Sequence, residues 1–196
     1  LQMKDVEVCY HYDGLGDVTV PSDGYFLDTG TRHFVRIVEG LDNYDVVGEG
    51  RDIRFNAEEL KPIGANVNFI QPSGDGLLYV RTYEKGVEDE TFACGTGIVA
   101  SAMASYVHGV RPRVSDGDNG RLNAMYTVHA KRDILAVSFD ASSEGEWSAR
   151  NVWLTGFLHS IDQPNKLFSS MGYGYIVVLT LSPFLRKVCG KGWIPY

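Results

Sequence analysis

Short runs of apolar residues separated by turn signals recur along most of the chain, between Gly24 and His159. Runs rich in Val, Ile, Phe, Tyr and Thr are typical of β-strands, and the Gly, Asp, Asn and Ser residues between them are typical of turns. The pattern predicts a strand in each of seven segments, which are Tyr25–Gly30, His33–Gly40, Asn66–Gln71, Gly76–Gly86, Met125–Arg132, Asp133–Ser142 and Asn151–Gly156.

Two segments favour helices instead. One is short and lies around Asn56–Leu60, and the other begins near Cys94 and runs to about His108. From Gly95 to Val107 the second segment carries no charged residue, and a helix that is apolar all round is buried on every side. The sequence therefore predicts an α+β, barrel-like domain in which mostly antiparallel strands wrap around one central buried helix.

The charge balance argues against two classes of partner. Acidic residues outnumber basic ones by 25 to 18, which gives a formal net charge of −7 at pH 7. Nucleic acids and anionic lipid surfaces are bound through basic surfaces, so we expect neither as a partner. We expect no signal peptide, because LQMKDVEVC lacks a basic region followed by an apolar one. Three scattered cysteines in no zinc spacing favour a reducing cytoplasm and predict no metal site.

The residue with the clearest chemical potential is Cys94, at the start of the predicted buried helix. A helix N-terminus carries a partial positive charge and unpaired N–H donors. These favour a thiolate by lowering the thiol pKa, and they also form a binding site for a carboxylate. A thiolate beside such a site could remove the α-proton of an amino acid. The alternative is that Cys94 is inert packing, since free cysteines are among the most buried residues.

Three blocks of the sequence resemble the diaminopimelate epimerase family: RTYEKGVEDETFACGTG (Arg81–Gly97), GYFLDTGTRHFV (Gly24–Val35) and GANVNF (Gly64–Phe69), with NVWLTG following later. The resemblance implies an isomerase that uses no pyridoxal phosphate or other cofactor. Family members have two similar halves, each a barrel around a central helix, and each half supplies one cysteine to a cleft. One cysteine removes the α-proton and the other returns a proton to the opposite face. This interconverts LL- and meso-diaminopimelate for lysine and peptidoglycan synthesis.

The resemblance assigns roles to individual residues of this chain. Cys94 matches the catalytic cysteine of the second half. Gly95 and Thr96 match the backbone donors that hold the α-carboxylate of the substrate. Glu84 and His33 match the acid–base partners of the two thiols.

Two of these residues can also be judged without the resemblance. Strand alternation places Leu78, Val80, Thr82 and Glu84 on one face. An ordinary surface glutamate is not expected on such an apolar face, so the pattern supports a special role for Glu84. His33 on its own would more often be a structural histidine with satisfied hydrogen bonds.

Further substrate-binding positions include departures from the family pattern. Asn66 matches a substrate-binding asparagine. Thr31-Arg32-His33 replaces an Asn-Pro-His or Ser-Pro-His turn, which frees the backbone that proline would fix. Lys85 replaces an arginine that grips a substrate carboxylate, so it keeps the charge and loses the bidentate fork. Phe157 stands where a proline commonly follows.

The largest departure is the missing first half. No CGN-type motif with the first catalytic cysteine occurs in this sequence. We therefore expect residues 1–23 to be a remnant of the connection from an amino-terminal half, 24–159 to be the carboxy-terminal epimerase barrel, and 160–196 to be a divergent tail of unknown role. The expected partners are the substrate diaminopimelate and either the missing amino-terminal half or a second copy of the chain.

Two other functions fit the same residues. One is a non-catalytic amino-acid-binding module that keeps the anion site at the helix start, and the substituted residues Arg32 and Lys85 support it. The other is a related cofactor-independent racemase, since proline racemases resemble the same two-barrel fold. The run GVEDETFACGTG (Gly86–Gly97) favours the diaminopimelate branch.

Overall fold

The computed structural model describes residues 8–9, 24–29, 31–116, 122–141, 148–156, 178–179, 187–189 and 192–194. The proposed remnant at residues 1–23, except for 8–9, lies outside the described residues, as do Phe157 and most of the tail at 160–196. In the described part of the chain, no helix is long and apolar enough to cross a membrane.

Ten strands form one mixed sheet. Two neighbouring pairs are parallel and the other seven pairs of this sheet are antiparallel, so the sheet is mixed and most of its pairs are antiparallel. The strands are β1 (Val8–Cys9), β2 (Gly24–Asp28), β3 (Arg32–Ile37), β4 (Asn66–Pro72), β5 (Leu77–Glu84), β6 (Asp89–Thr91), β7 (Arg113–Asp116), β8 (Leu122–His129), β9 (Ile134–Ala141) and β10 (Ser148–Gly156).

The order of strands explains the two parallel pairs. The sheet runs β1-β10-β9-β8-β5-β4-β3-β2, with β6 also paired to β5 and β7 to β8. Parallel neighbours need a long crossover connection, which is usually helical. Helix α1 (Val46–Asn56) lies in the connection from β3 to β4, and helix α2 (Gly95–His108) lies in the connection from β5 to β8. Each α-helix of the described chain thus accompanies one parallel pair.

Helix α2 confirms the helix predicted from Cys94 to His108. Its residues 97–105 are all buried, and it contacts β2, β3, β4, β5, β8 and β9. Its C-terminus ends at Gly109, whose φ of 94° is a left-handed conformation that glycine adopts without strain. The side chains of Ser101 and Ser105 donate hydrogen bonds to backbone carbonyls one turn earlier, so these polar groups are satisfied inside the core.

Helix α1 corrects the other helix prediction. The sequence favoured a helix around Asn56–Leu60, whereas α1 ends at Asn56 and only a single 3-10 turn, Glu58–Leu60, follows. Gly48 and Gly50 lower the intrinsic helix propensity of the true segment and hide it. Packing requires Gly50, because a Cβ there would lie 2.5 Å from the Cβ of Tyr83 on β5.

Strands β3 and β4, and the end of β5 around Tyr83, are buried on both faces. One face packs on α2 and belongs to the larger core cluster, which includes Val35 and Ile70. The other packs on α1, where Phe34, Phe69 and Tyr83 are buried. The seven predicted strands are all present, whereas β6 and β7 were missed. In the tail, the described strands Val178–Leu179, Lys187–Cys189 and Gly192–Ile194 pair as a separate small antiparallel sheet.

Candidate active site

The N-terminus of α2 meets the middle of the sheet at a cluster of polar side chains. In the parallel pairing of β3 with β4, His33 lies opposite Asn66, and in the antiparallel pairing of β4 with β5, Asn68 lies opposite Thr82. Gly97 brings the helix close to this surface, since a Cβ there would lie 2.5 Å from Asn68 Oδ1. The fold therefore places the start of α2 directly against three adjacent strands.

Cys94 is a free thiol at the N-cap of α2. Its Sγ lies 3.4 Å from Thr96 Oγ1. Burial raises the pKa of the Cys94 thiol, and the nearby charge of Glu84 raises it further, although the Thr96 hydroxyl and the backbone N–H groups of Gly97 and Thr96 oppose the change. The expected lowering of this pKa is therefore wrong: the helix N-terminus supplies the donors, but the loss of water around the sulfur outweighs them.

His33 is fully buried, and its ring touches three side chains. Its Nε2 lies 2.8 Å from Thr31 Oγ1 and 2.9 Å from Thr96 Oγ1, and its Nδ1 lies 3.0 Å from Asn68 Nδ2. Burial lowers the pKa of His33 to about 4, so the ring is neutral at pH 7. These hydrogen bonds connect His33 to Cys94 through the Thr96 hydroxyl.

Thr31 and Thr96 join the β2–β3 turn to the helix. Their hydroxyl oxygens are 2.9 Å apart, and the nearby Thr29 hydroxyl donates to the Thr96 carbonyl at 3.1 Å. Both threonines were expected to bind substrate, Thr96 through its backbone N–H. In the structure their hydroxyls hydrogen-bond to each other and to His33. The roles of Thr31, Thr96 and the adjacent Gly95 toward a substrate stay predictions.

Asn66 anchors the turn that follows β5. Its Oδ1 accepts a hydrogen bond from the backbone N–H of Lys85 at 2.8 Å, and its Nδ2 donates to the Arg32 carbonyl at 3.3 Å. Glu84 ends the strand half-buried, near Cys94, whereas Lys85 is exposed. The side chains of Leu78, Val80 and Thr82 on the same face as Glu84 are buried, as the alternation predicted.

Two buried polar residues of this cluster were missed by the sequence analysis. Asn68 and Thr82 are at most 2% exposed and hydrogen-bond to each other at 2.9 Å. The available signal was a polar side chain inside the apolar run NVNFI, since buried polar groups require partners. Among the described residues, no three His, Cys, Asp or Glu side chains lie close enough together to hold a metal ion.

Comparison with known proteins shows the family of the chain. The family model "Diaminopimelate epimerase" matches residues 25–132, more than half of the chain. The chain belongs to the diaminopimelate epimerase family. The resemblance drawn from the sequence blocks is thereby confirmed. All eight predicted site residues lie inside the matched segment of this epimerase-family chain, while Cys9 and Cys189 lie outside it.

Individual epimerases show how much of the family's length is present. The chain is 42% identical over 119 residues to the diaminopimelate epimerase of Aquifex aeolicus and 47% identical over 100 residues to that of Chlorobaculum tepidum. These matches cover 61% and 48% of this chain, and 42% and 38% of the relatives. The chain therefore spans about two-fifths of the length of each of these two relatives.

Proposed function

We propose that this chain supplies the second catalytic cysteine of a diaminopimelate epimerase that interconverts the LL and meso isomers without a cofactor. The observation that carries the proposal is a free thiol at the N-terminus of a buried helix, beside the Glu84 carboxylate and the Thr96 hydroxyl. This arrangement lies inside the segment that matches the family. The activity, the substrate and the complementary half are all parts of the proposal.

The architecture belongs to the same proposal. We propose that the curled mixed sheet closes into a barrel with α2 as its axis. The contacts of α2 with β2, β3, β4, β5, β8 and β9 support this, as does the burial of residues 97–105. An amino-terminal half with its own cysteine would face the N-terminus of α2 across a cleft.

The proposed reaction needs one thiolate and one thiol. A thiolate removes the α-proton, so an S–H bond forms as the Cα–H bond breaks, and the electron pair moves toward the α-carboxylate. N–H donors at the start of α2 would stabilise the resulting negative charge. A thiol on the opposite face then gives its proton to the α-carbon. The raised pKa of Cys94 favours its thiol form, which suits Cys94 to be the proton donor.

The reverse direction requires Cys94 to lose its proton. Glu84 is the nearby carboxylate that could accept it, and the Thr96 hydroxyl and first-turn N–H groups would stabilise the thiolate that remains. Because catalysis in both directions uses both cysteines, we propose that this chain alone does not complete the inversion.

Exchange of the α-proton in heavy water tests the proposal. The chain is incubated with LL- or meso-diaminopimelate, with and without an amino-terminal epimerase half supplied separately. We expect inversion and α-deuteration only when the supplied half is present, and we expect Cys94→Ala to abolish both. Cys9→Ser is the matched control and should leave them unchanged, since Cys9 lies outside the segment that matches the family. Inversion by the chain alone would refute its role as a partial enzyme, and absence of exchange in the combined sample would refute the activity.

One observation favours a second function, a non-catalytic amino-acid-binding module. A thiol whose pKa is raised by burial is not primed for proton abstraction, while the helix start keeps its anion-binding donors. In that case Cys94→Ser should leave the affinity for diaminopimelate almost unchanged in calorimetric titration. A marked loss of affinity would support a site that depends on the sulfur.

A further inference from the structure

Asn68 lies in the middle of β4, fully buried, with hydrogen-bond partners on both sides of its amide. Its Oδ1 accepts from the Thr82 hydroxyl at 2.9 Å. Its Nδ2 donates to the Phe34 carbonyl at 3.4 Å and lies 3.0 Å from His33 Nδ1. A backbone carbonyl can only accept, so the nitrogen of the amide must face Phe34 and His33. The reversed amide would place the Asn68 and Phe34 oxygens against each other in a fully buried site.

This orientation fixes the protonation of His33. One hydrogen of the Asn68 amide goes to Phe34 O and the other points to His33 Nδ1, which must therefore accept. A neutral imidazole that accepts at Nδ1 carries its proton on Nε2. A proton on Nδ1 would bring two N–H groups together at 3.0 Å in a buried position, where an unsatisfied donor is costly.

The position of that proton determines where the neighbouring hydroxyls can donate. His33 Nε2–H donates toward the oxygens of Thr31 and Thr96 and cannot accept a hydrogen from either. The Thr31 hydroxyl has Thr96 Oγ1 within 2.9 Å as an acceptor. Either hydroxyl of the Thr31–Thr96 pair can donate to the other; when Thr31 is the donor, the hydrogen of the Thr96 hydroxyl is left for Cys94 Sγ at 3.4 Å.

We propose that Asn68 is a positioning residue: it holds His33 in the Nε2–H form, and His33 thereby directs the Thr96 hydroxyl onto the Cys94 sulfur. The contribution to proton transfer rests on the proposed function, whereas the hydrogen-bond directions do not. In the opposite tautomer, Nε2 would accept the Thr96 hydrogen, and the Cys94 thiolate would lose a donor.

The tautomer can be read directly by NMR. Long-range ¹H–¹⁵N correlation spectra of the histidine-labelled chain separate protonated from unprotonated ring nitrogens, and His33→Gln identifies the signal among the five histidines. We expect Nε2 to be protonated and Nδ1 unprotonated in the wild-type chain at pH 7. Asn68→Asp replaces the donor by a carboxylate, so the ring proton should move from Nε2 to Nδ1, leaving Nε2 unprotonated. Thr82→Val is the matched control, because it removes the donor to Oδ1 and keeps Nδ2, and it should leave the tautomer unchanged.

The link to Cys94 is tested by alkylation with iodoacetamide, followed at each cysteine by peptide mass spectrometry. Removing a hydrogen bond to a charged group raises a pKa by about one unit, so Asn68→Asp should slow Cys94 alkylation about tenfold below the thiol pKa. In a Thr96→Val background the same change should slow it about threefold or less, since only the direct charge effect remains. Thr96→Ser should restore the wild-type response.

Two results would overturn the inference. One is a protonated Nδ1 in the wild-type chain, or an Nδ1 signal that Asn68→Asp leaves unmoved. The other is equal slowing of alkylation in both Thr96 backgrounds. Neither measurement uses diaminopimelate or an amino-terminal half, so they stand apart from the exchange experiment. If the chain lacks epimerase activity but these results hold, the proposed function fails and the positioning role of Asn68 toward the thiol stands.

Discussion

Gly97→Ala probes the contact between α2 and the polar cluster. A Cβ at this position would lie 2.5 Å from Asn68 Oδ1 and 3.2 Å from His33 Cε1. Ordinary contact begins near 3.4 Å, so the helix or the amide must move by roughly 0.9 Å. Neither moves freely, because Asn68 is fully buried and is hydrogen-bonded on both sides of its amide.

The expected magnitude combines two opposing effects. Alanine in place of glycine inside a helix stabilises by about 1 kcal/mol. Overpacking in a rigid core costs about 1–3 kcal/mol, and a weakened hydrogen bond from Thr82 to Asn68 costs about 1 kcal/mol more. We therefore expect the free energy of unfolding to fall by about 2 kcal/mol. For a chain of this size that lowers Tm by about 4–8 °C.

The assay is urea unfolding followed by circular dichroism, with Gly109→Ala as the matched control. Gly109 ends the same helix at a φ of 94° with nothing within 4 Å, so alanine there costs about 1–2 kcal/mol of backbone strain and touches no site residue. Both variants should be destabilised, but only Gly97→Ala should change the alkylation rate of Cys94. If Gly97→Ala is neutral or stabilising, the close approach of α2 to Asn68 and His33 is refuted.

Three further predictions concern stability. The pKa of His33 is lowered to about 4 from an unfolded value near 6.5. Its contribution of about 3 kcal/mol to the free energy of unfolding is therefore fully present above pH 6.5 and is lost as pH falls toward 4. Urea unfolding at several pH values across this range should show the loss, and His33→Gln should remove this pH dependence. Arg81→Met removes a two-pronged ion pair with Glu90 and donors to the carbonyls of Leu41, Asp42 and Tyr44, so we expect a loss of about 2–3 kcal/mol in urea unfolding; a loss below 0.5 kcal/mol would contradict this. Phe139→Ala removes a fully buried side chain and should lower the free energy of unfolding by about 3–5 kcal/mol. Val107→Ala, at a 38% exposed position on α2, should lower it far less, and thermal melts would show the difference.

The sequence was most informative where one local pattern was strong. The uncharged run after Cys94 identified α2, and apolar runs bounded by turn residues identified seven strands. Helix α1 was not predicted because Gly48 and Gly50 lower the helix propensity of its segment. Its position also depends on packing against Tyr83 in a distant strand. Strands β6 and β7 are short and carry polar residues, so pairing with β5 and β8 determines them more than composition does.

The sequence predicted which residues form the site, but it did not predict their electrostatics. Motif resemblance selected Cys94, Glu84, His33 and Thr96, which the fold brings together. The pKa direction of Cys94 was wrong because sequence reveals the donors of a helix N-terminus and does not reveal how completely water is excluded. The role of Asn68 depends on the register of β3, β4 and β5, which the residue pattern alone does not determine.

The hydrogen bond between His33 and Thr96 joins residues 63 positions apart. Closing so large a loop carries an entropy cost that local contacts do not, and contacts of high sequence separation tend to slow folding. During synthesis, the β2–β3 hairpin emerges well before α2, so the contacts between them form only after α2 has been made. Cys94 therefore acquires its buried environment only as the crossover between β5 and β8 docks. Until then its thiol has the solvation and reactivity of an unfolded chain, so the rate at which iodoacetamide labels Cys94 during refolding reports the moment of assembly.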